Sequence, residues 1–279
     1  MSRSRRPALF SLPGAGVAER HPPVVFDYPT WGLAEGLDDH PAAVFELTSE
    51  KRDAAIALLS SSQVDLTGYQ LVNAAGVKHF QGQDKPIQSV ALLRYERADG
   101  VNTGIGGEHI SAIIHLETNR LIGLTRMQLA LDGSAFVSHT QALQTAIAFL
   151  KKAAPDLMPQ NTDIPAIADD KNPGERMAFS PALEVGNVEI HWVDDHKEEI
   201  GNSEVHGMKV KMFMPASELW AWVVVDKNAQ VVTFERDIFW NFEAFRRETQ
   251  LWLHDKWINA QTISLPPAVS DVSSVRMVL

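Results

Sequence analysis

Two hairpin-like stretches, one in each half of the chain, set the strongest constraint on its fold. Ala112-Ile113-Ile114-His115-Leu116-Glu117-Thr118-Asn119 lines up with Ala221-Trp222-Val223-Val224-Val225-Asp226-Lys227-Asn228. After one inserted residue, Ala229, Leu121-Ile122-Gly123-Leu124-Thr125-Arg126 lines up with Val231-Val232-Thr233-Phe234-Glu235-Arg236. Each copy reads as a β-rich run, an acid, an Asn turn, a second β-rich run and an Arg. Branched and aromatic side chains suit a pleated surface and Asn tolerates a tight turn, so each copy predicts an antiparallel hairpin. Its recurrence points to two copies of one structural unit.

The flanking sequence extends both units. Thr48-Ser49-Glu50 offers a hydroxyl cap to a helix carrying Ala55, Ile56, Leu58 and Leu59, which Ser60-Ser61-Ser62 interrupts. Strand-like stretches follow at 69–72, 90–95, 110–116 and 121–127, with turn residues at Ala98-Asp99-Gly100 and Thr118-Asn119. Ser138-His139-Thr140-Gln141 has the form of a capping box, and Leu143, Ile147, Leu150 and Ala154 mark one apolar face before Pro155 and Pro159. Polar, non-periodic sequence occupies 158–175. Strands then resume at 188–193, 208–214, 219–225 and 231–234. Asn241-Phe242-Glu243 predicts a last helix running to about Ile258, because Phe242, Phe245, Trp252 and Trp257 recur near the helical period.

A helix preceding a meander that ends in such an acid-turn hairpin resembles the cystatin-like unit of PepSY-type domains. The two N-terminal domains of copper amine oxidases are also similar, through His40-Pro41, the helix opening at Leu47-Thr48-Ser49-Glu50 and a second unit ending in Val224-Val225-Asp226. The resemblance covers about residues 40 to 240. It implies an α+β protein of two cystatin-like helix-plus-antiparallel-sheet repeats with a C-terminal helix. The parts are then an extended arm at 1–40, a first repeat at 41–157, a linker or long loop at 158–175, a second repeat at 176–262 and a tail at 263–279. Amine oxidase activity is not implied, since Tyr28, Tyr69 and Tyr95 lack the Asn-Tyr-Asp/Glu context of the quinone precursor. In those families such units are mostly accessory, which favours a noncatalytic role by analogy.

Composition excludes more chemistry than it selects. Without cysteine there is no disulfide framework, thiolate metal site or Cys nucleophile. A net charge of −10 argues against a nucleic-acid or anionic-membrane surface. No apolar run approaches the about 18 residues of a membrane span. Arg3, Arg5 and Arg6 precede a segment too short and too broken by Pro and Gly for a signal peptide, which favours a cytoplasmic location over export.

Motif-level chemistry is sparse. The glycine-rich segment 100–107 runs into a strand rather than a helix, so it reads as a hairpin loop and not as a phosphate cradle. No Gly-x-Ser-x-Gly, Ser-x-x-Lys or His-Glu-x-x-His motif is present. Acidic pairs at Asp169-Asp170, Asp194-Asp195 and Glu198-Glu199 lie in polar stretches, where solvated charge is the default. His191, Asp194 and His196, with His206 nearby, form the densest group of metal-ligand types, but a shared site needs a turn at Asp194-Asp195 because residues 191 and 196 face opposite sides of a regular strand. His109 and His115 share a strand face and read as structural.

Tryptophan is the least ordinary feature. Trp220, Trp222, Trp240 and Trp252 concentrate large amphipathic rings in the second half and are the expected contact residues for a protein partner or a small apolar molecule. No cofactor is expected, and a homodimer through paired sheets is a third arrangement. The competing class is an enzyme using His191, Asp194 or His196 in a cleft lined by the sheet.

Overall fold

The computed structural model describes residues 43–62, 64–82, 84–131, 135–167, 175–200, 203–243 and 246–261. The arm expected at 1–40, the tail at 263–279, Asp169-Asp170 and Phe245 lie outside the described residues. Strand β1 (Ala43–Phe45) precedes helix α1 (Ser49–Ser61), whose Thr48 hydroxyl accepts the Lys51 N–H. A meander follows, of β2 (Tyr69–His79), β3 (Gln88–Arg97), β4 (His109–His115) and β5 (Arg120–Met127). Helix α2 (His139–Ala153) starts at Ser138, whose hydroxyl accepts the Gln141 N–H. A second meander comprises β6 (Met177–Val185), β7 (Val188–Ile200), β8 (Ser203–Met214), β9 (Leu219–Asp226) and β10 (Val231–Ile238).

The two meanders form one antiparallel sheet of ten strands in the order β1-β2-β3-β4-β5-β10-β9-β8-β7-β6. This corrects the expectation of two cystatin-like repeats. The second strand of each matching hairpin, β5 and β10, pairs with the other, Thr233 opposite Thr125, Phe234 opposite Leu124 and Glu235 opposite Gly123. The paired strands satisfy each other's backbone groups, so neither meander ends at this edge. Helix α2, assigned by sequence to the first unit, packs on β7, β8, β9 and β10 of the second.

Register explains why both helices lie on one face. Ala74, Leu93, Ala112, Leu124, Phe234, Val223, Val210 and Val193 stand side by side across eight strands. They form one apolar layer under α1 and α2, closed by Leu59, Leu143, Ile147 and Leu150. The neighbouring row on the other face reads Ala75, Leu92, Ile113, Gly123, Glu235, Trp222, Lys211 and Trp192. That face is apolar on the first meander and turns charged and aromatic at the β5–β10 junction.

The expected last helix is mostly absent. Residues 240–247 hold a small two-stranded ladder, β11 (Trp240–Asn241) with β12 (Arg246–Arg247), and only α3 (Asp255–Ala260) is helical. Between them the chain straps the apolar half of the second face. Leu251, Trp252, Leu253, Trp257 and Ile258 pack on Val77, Val90, Leu92, Ile113 and Ile122. Burial against the sheet, not helical periodicity, sets the spacing of Trp252 and Trp257. The strap is pinned by Asp255, which accepts hydrogen bonds from Arg94 at 2.5 and 3.0 Å and from the Gly106 N–H at 2.6 Å. Gly123 permits close approach: a Cβ there would sit 2.6 Å from Leu253 Cδ1.

Trp252 is fully buried, whereas Phe242 is 67% exposed. Trp252→Ala is expected to lower stability by about 3–5 kcal/mol, and Phe242→Ala to change it by less than about 0.5 kcal/mol. Urea unfolding of the two variants checks this; equal effects would mean that the strap is not part of the folded core.

Candidate functional site

The other half of the second face carries a cluster of rings and ammonium groups, in which Trp220 and Trp222 are buried while Trp192 and Trp240 are half-buried. Alternation along β8 sends Met208, Val210 and Met212 into the helix-covered core and Lys209 and Lys211 to the opposite side. Lys211 Nζ lies 4.4 Å from the Trp192 ring centroid, 4.7 Å from Trp220 and 5.3 Å from Trp240. Lys209 Nζ lies 4.3 Å from the Trp222 ring. Phe213 and Phe242 extend the ring system, with centroids 5.2 and 6.3 Å from that of Trp220. Among the described residues neither lysine has a carboxylate within ion-pair distance. Burial, with Lys209 beside it, pushes the Lys211 ammonium down to about 8, and burial also lowers Lys209.

Beneath the rings lies a network of buried charge. Glu235 of β10 accepts from Trp222 Nε1 at 3.1 Å, His254 Nε2 at 3.2 Å and Arg247 Nη2 at 2.6 Å. Burial alone would raise this carboxyl, but the charges of Arg247 and His254 outweigh it and hold Glu235 well below the usual carboxylate range. Glu198 of β7 accepts from Thr233 Oγ1 at 3.1 Å and from His196 Nε2 at 3.2 Å. Because the Thr233 proton goes to that carboxylate, Thr125, 3.2 Å away, donates to Thr233. A donor chain therefore runs from β5 through β10 to β7. Burial lowers His196 despite Glu198, whereas His254 is raised because Glu235 and Glu198 overcome its desolvation.

The residues expected from sequence divide. Trp220, Trp222 and Trp240 come together on this face, with Trp192 beside Trp220. Trp252 does not join them; it packs on Trp257 under the strap, ring centroids 4.9 Å apart. His191, Asp194 and His196 take separate partners: His191 stacks edge-on to Trp220 and lies 3.7 Å from Glu189, Asp194 pairs with Arg176 at 2.9 Å, and His196 donates to Glu198. Strand β7 runs through Asp194-Asp195 without the turn that a common site requires. Among the described residues no group of three or more His, Asp or Glu side chains converges as metal ligands.

Sequence reading missed Lys209, Lys211, Glu235, Arg247 and His254. The alternation Met208-Lys209-Val210-Lys211-Met212 was the available signal for the lysines; the others meet only through tertiary structure. Comparison with protein-family models, curated proteins and solved structures finds no match, which leaves the resemblance to PepSY-type and amine oxidase N-terminal domains without support.

Two histidines set opposite pH limits on stability. The raised His254 contributes fully below its ordinary value of 6.5, and the contribution is lost as pH rises through the raised folded value. His79 is buried with neither ring nitrogen hydrogen-bonded, and burial, reinforced by Arg247, lowers it from 6.5 to about 3. Its neutral form is the folded form, so its contribution is present above 6.5 and is lost as pH falls toward 3. His254→Gln should flatten the alkaline limb of a stability-versus-pH curve, and His79→Leu should soften the acid limb. Urea midpoints measured across pH test both, and an unchanged alkaline limb in the first variant would exclude a charged His254.

Proposed function

We propose that the protein is a noncatalytic binding protein whose open sheet face docks an acidic segment of a protein partner that also carries apolar side chains. The observation that carries this reading is Lys211, an ammonium set among three tryptophan rings with no carboxylate in ion-pair distance among the described residues, the Asp194 charge near it being paired with Arg176. Lysine over a ring face gains about 0.5–2 kcal/mol from the ring quadrupole, yet its donors still lack an acceptor, and a carboxylate from outside supplies one. In a chain of net charge −10, two such lysines in one aromatic patch give local complementarity to an acidic segment and disfavour a basic one.

The shape favours a macromolecule over a small molecule. Trp192 and Trp240 are half-buried, Phe242 is exposed, and all lie on a sheet face rather than in an enclosed cavity. Large rings fixed by a rigid scaffold and surrounded by charge have the composition of interface hot spots. The network around Glu235 holds Trp222 by its indole N–H, so the ring is oriented before a partner arrives.

Fluorescence titration with a synthetic peptide of alternating Glu and Phe tests the reading against a Lys/Phe counterpart and a naphthalenesulfonate. The acidic peptide is expected to bind, more weakly as salt rises. A Lys209→Ala/Lys211→Ala variant should lose about tenfold or more in affinity, and Trp192→Ala about 2 kcal/mol. Equal binding of both peptides, or no effect of the lysine variant, would overturn the proposal. Tighter binding of the sulfonate than of the acidic peptide would replace the protein partner by a small aromatic anion.

A further inference from the structure

At one end of the sheet lies a groove of about 690 Å³. Its origin is in the backbone. β5 and β10 pair at only three positions, and the register of β10 against β9 shifts between Glu235 and Ile238. Asp237, inside that shift, takes a left-handed φ of 60°. The gap is walled by the β2–β3 connection on one side and the β6–β7 hairpin on the other, with Leu157, Val188, Met214 and Leu219 supplying apolar surface. A bulge, a left-handed non-glycine residue and a cavity of ordinary ligand-site volume coincide here.

Charge in the groove is arranged in two sets. Asp156 pairs with Arg236 at 2.8 Å and with Arg120 at 3.2 Å, and Arg236 also meets Asp237 at 3.4 Å. These four groups neutralise one another. Lys85 remains on the β2–β3 side, with no carboxylate in ion-pair range among the described residues, a 3.4 Å contact to the Ser217 carbonyl and the Phe239 ring centroid 6.0 Å from its Nζ. Glu184 and Glu189 remain on the β6–β7 side with no Lys or Arg in ion-pair range among the described residues, His191 lying 3.7 Å from Glu189. Gln88, also in the wall, has a buried Oε1 that accepts no hydrogen bond.

We infer that this groove is a binding site for a small zwitterion of the amino-acid or short-peptide class. The ligand carboxylate meets Lys85, its ammonium meets Glu189 and Glu184, and its side chain lies on Leu157 and Met214. The near balance of fixed charge disfavours a phosphate or nucleotide, which needs a net cationic cradle. Among the described residues none that lines the wall is aromatic, so they offer no stacking platform of the kind on which a sugar is usually held. A peptide N–H is a donor suited to Gln88 Oε1. The inference does not rest on the function proposed for the tryptophan face.

Calorimetric titration of the intact protein with alanylalanine and leucylleucine, and with their N-acetyl and C-amide derivatives, tests the inference. The free dipeptides are expected to bind, and blocking either end should weaken binding by about tenfold. Lys85→Ala should remove the distinction between free and amidated peptide, and Glu189→Gln that between free and acetylated peptide. The Lys209→Ala/Lys211→Ala variant should bind dipeptides as the wild type does, so failure here and failure of the partner face are separable. The inference is overturned if the blocked dipeptides bind as well as the free ones, if a monosaccharide or inorganic phosphate binds more tightly, or if no dipeptide binds at millimolar concentration to protein whose circular dichroism is native.

Discussion

The pairing of β5 with β10 is the contact on which the rest of the structure depends. It is short, three residue pairs with the Thr125 and Thr233 hydroxyls hydrogen-bonded beside them, yet it merges two meanders into one sheet. Once merged, the sheet has one face that is apolar across both meanders, and α1 and α2 both lie on it. Helix α2 can then cover strands that follow it in sequence, because the layer beneath is continuous from Ala74 to Val193. Backbone bonds supply the join, but the burial of Leu124 and Phe234 side by side fixes its register. A slip by one residue would turn one of the two side chains to the wrong face.

The second face shows what happens when a sheet outgrows its cover. The strap from Gln250 to Ala260 packs its apolar side chains on the first meander and meets the second through the His254–Glu235 hydrogen bond, and it seats closely because Gly123 has no side chain. One register position further, Glu235 begins a region that no described helix covers. The rings there are kept in place by polar contacts: Trp222 by Glu235, Trp192 by Lys211 and Arg176. A face built this way can remain wet on its outer side and still be rigid, which suits recognition better than core packing does.

What could be read from sequence was local. The starts of α1 and α2 at Thr48 and Ser138 depend on a hydroxyl and an N–H three residues away, and both hairpins depend on alternation and a turn. Even the inserted residue has a local reason, since Ala229 takes a left-handed φ of 57° in its turn as Asn119 does with 49° in the other. Strand β6 escaped notice because Pro181 interrupts it, which an edge position tolerates. The union of the two meanders escaped because nothing in a strand's own composition names its neighbour. The candidate site was half legible: Trp220, Trp222 and Trp240 stood out by type, whereas Lys211, Glu235, Arg247 and His254 come from four separate stretches that only the folded sheet brings together. Trp252 stood out for the same reason as the others and proved to be core.

Strand β10 serves both sites because successive residues on a strand face opposite ways. Glu235 points to the tryptophans and Arg236 reaches Asp156 beyond the end of α2. Were the strand regular to its end, Asp237 would rejoin the Glu235 side and leave the wall of the groove. The left-handed turn at Asp237 prevents this, and its modest backbone cost is held in place from three directions: Gln81 Nε2 donates to the Asp237 carbonyl, Arg236 grips Asp156, and Ile238 re-enters register opposite Trp220. The same three contacts fix where Glu235 sits under Trp222. The geometry of the ring face and the opening of the groove are therefore two outcomes of one distortion, placed where the central pairing of the sheet comes apart.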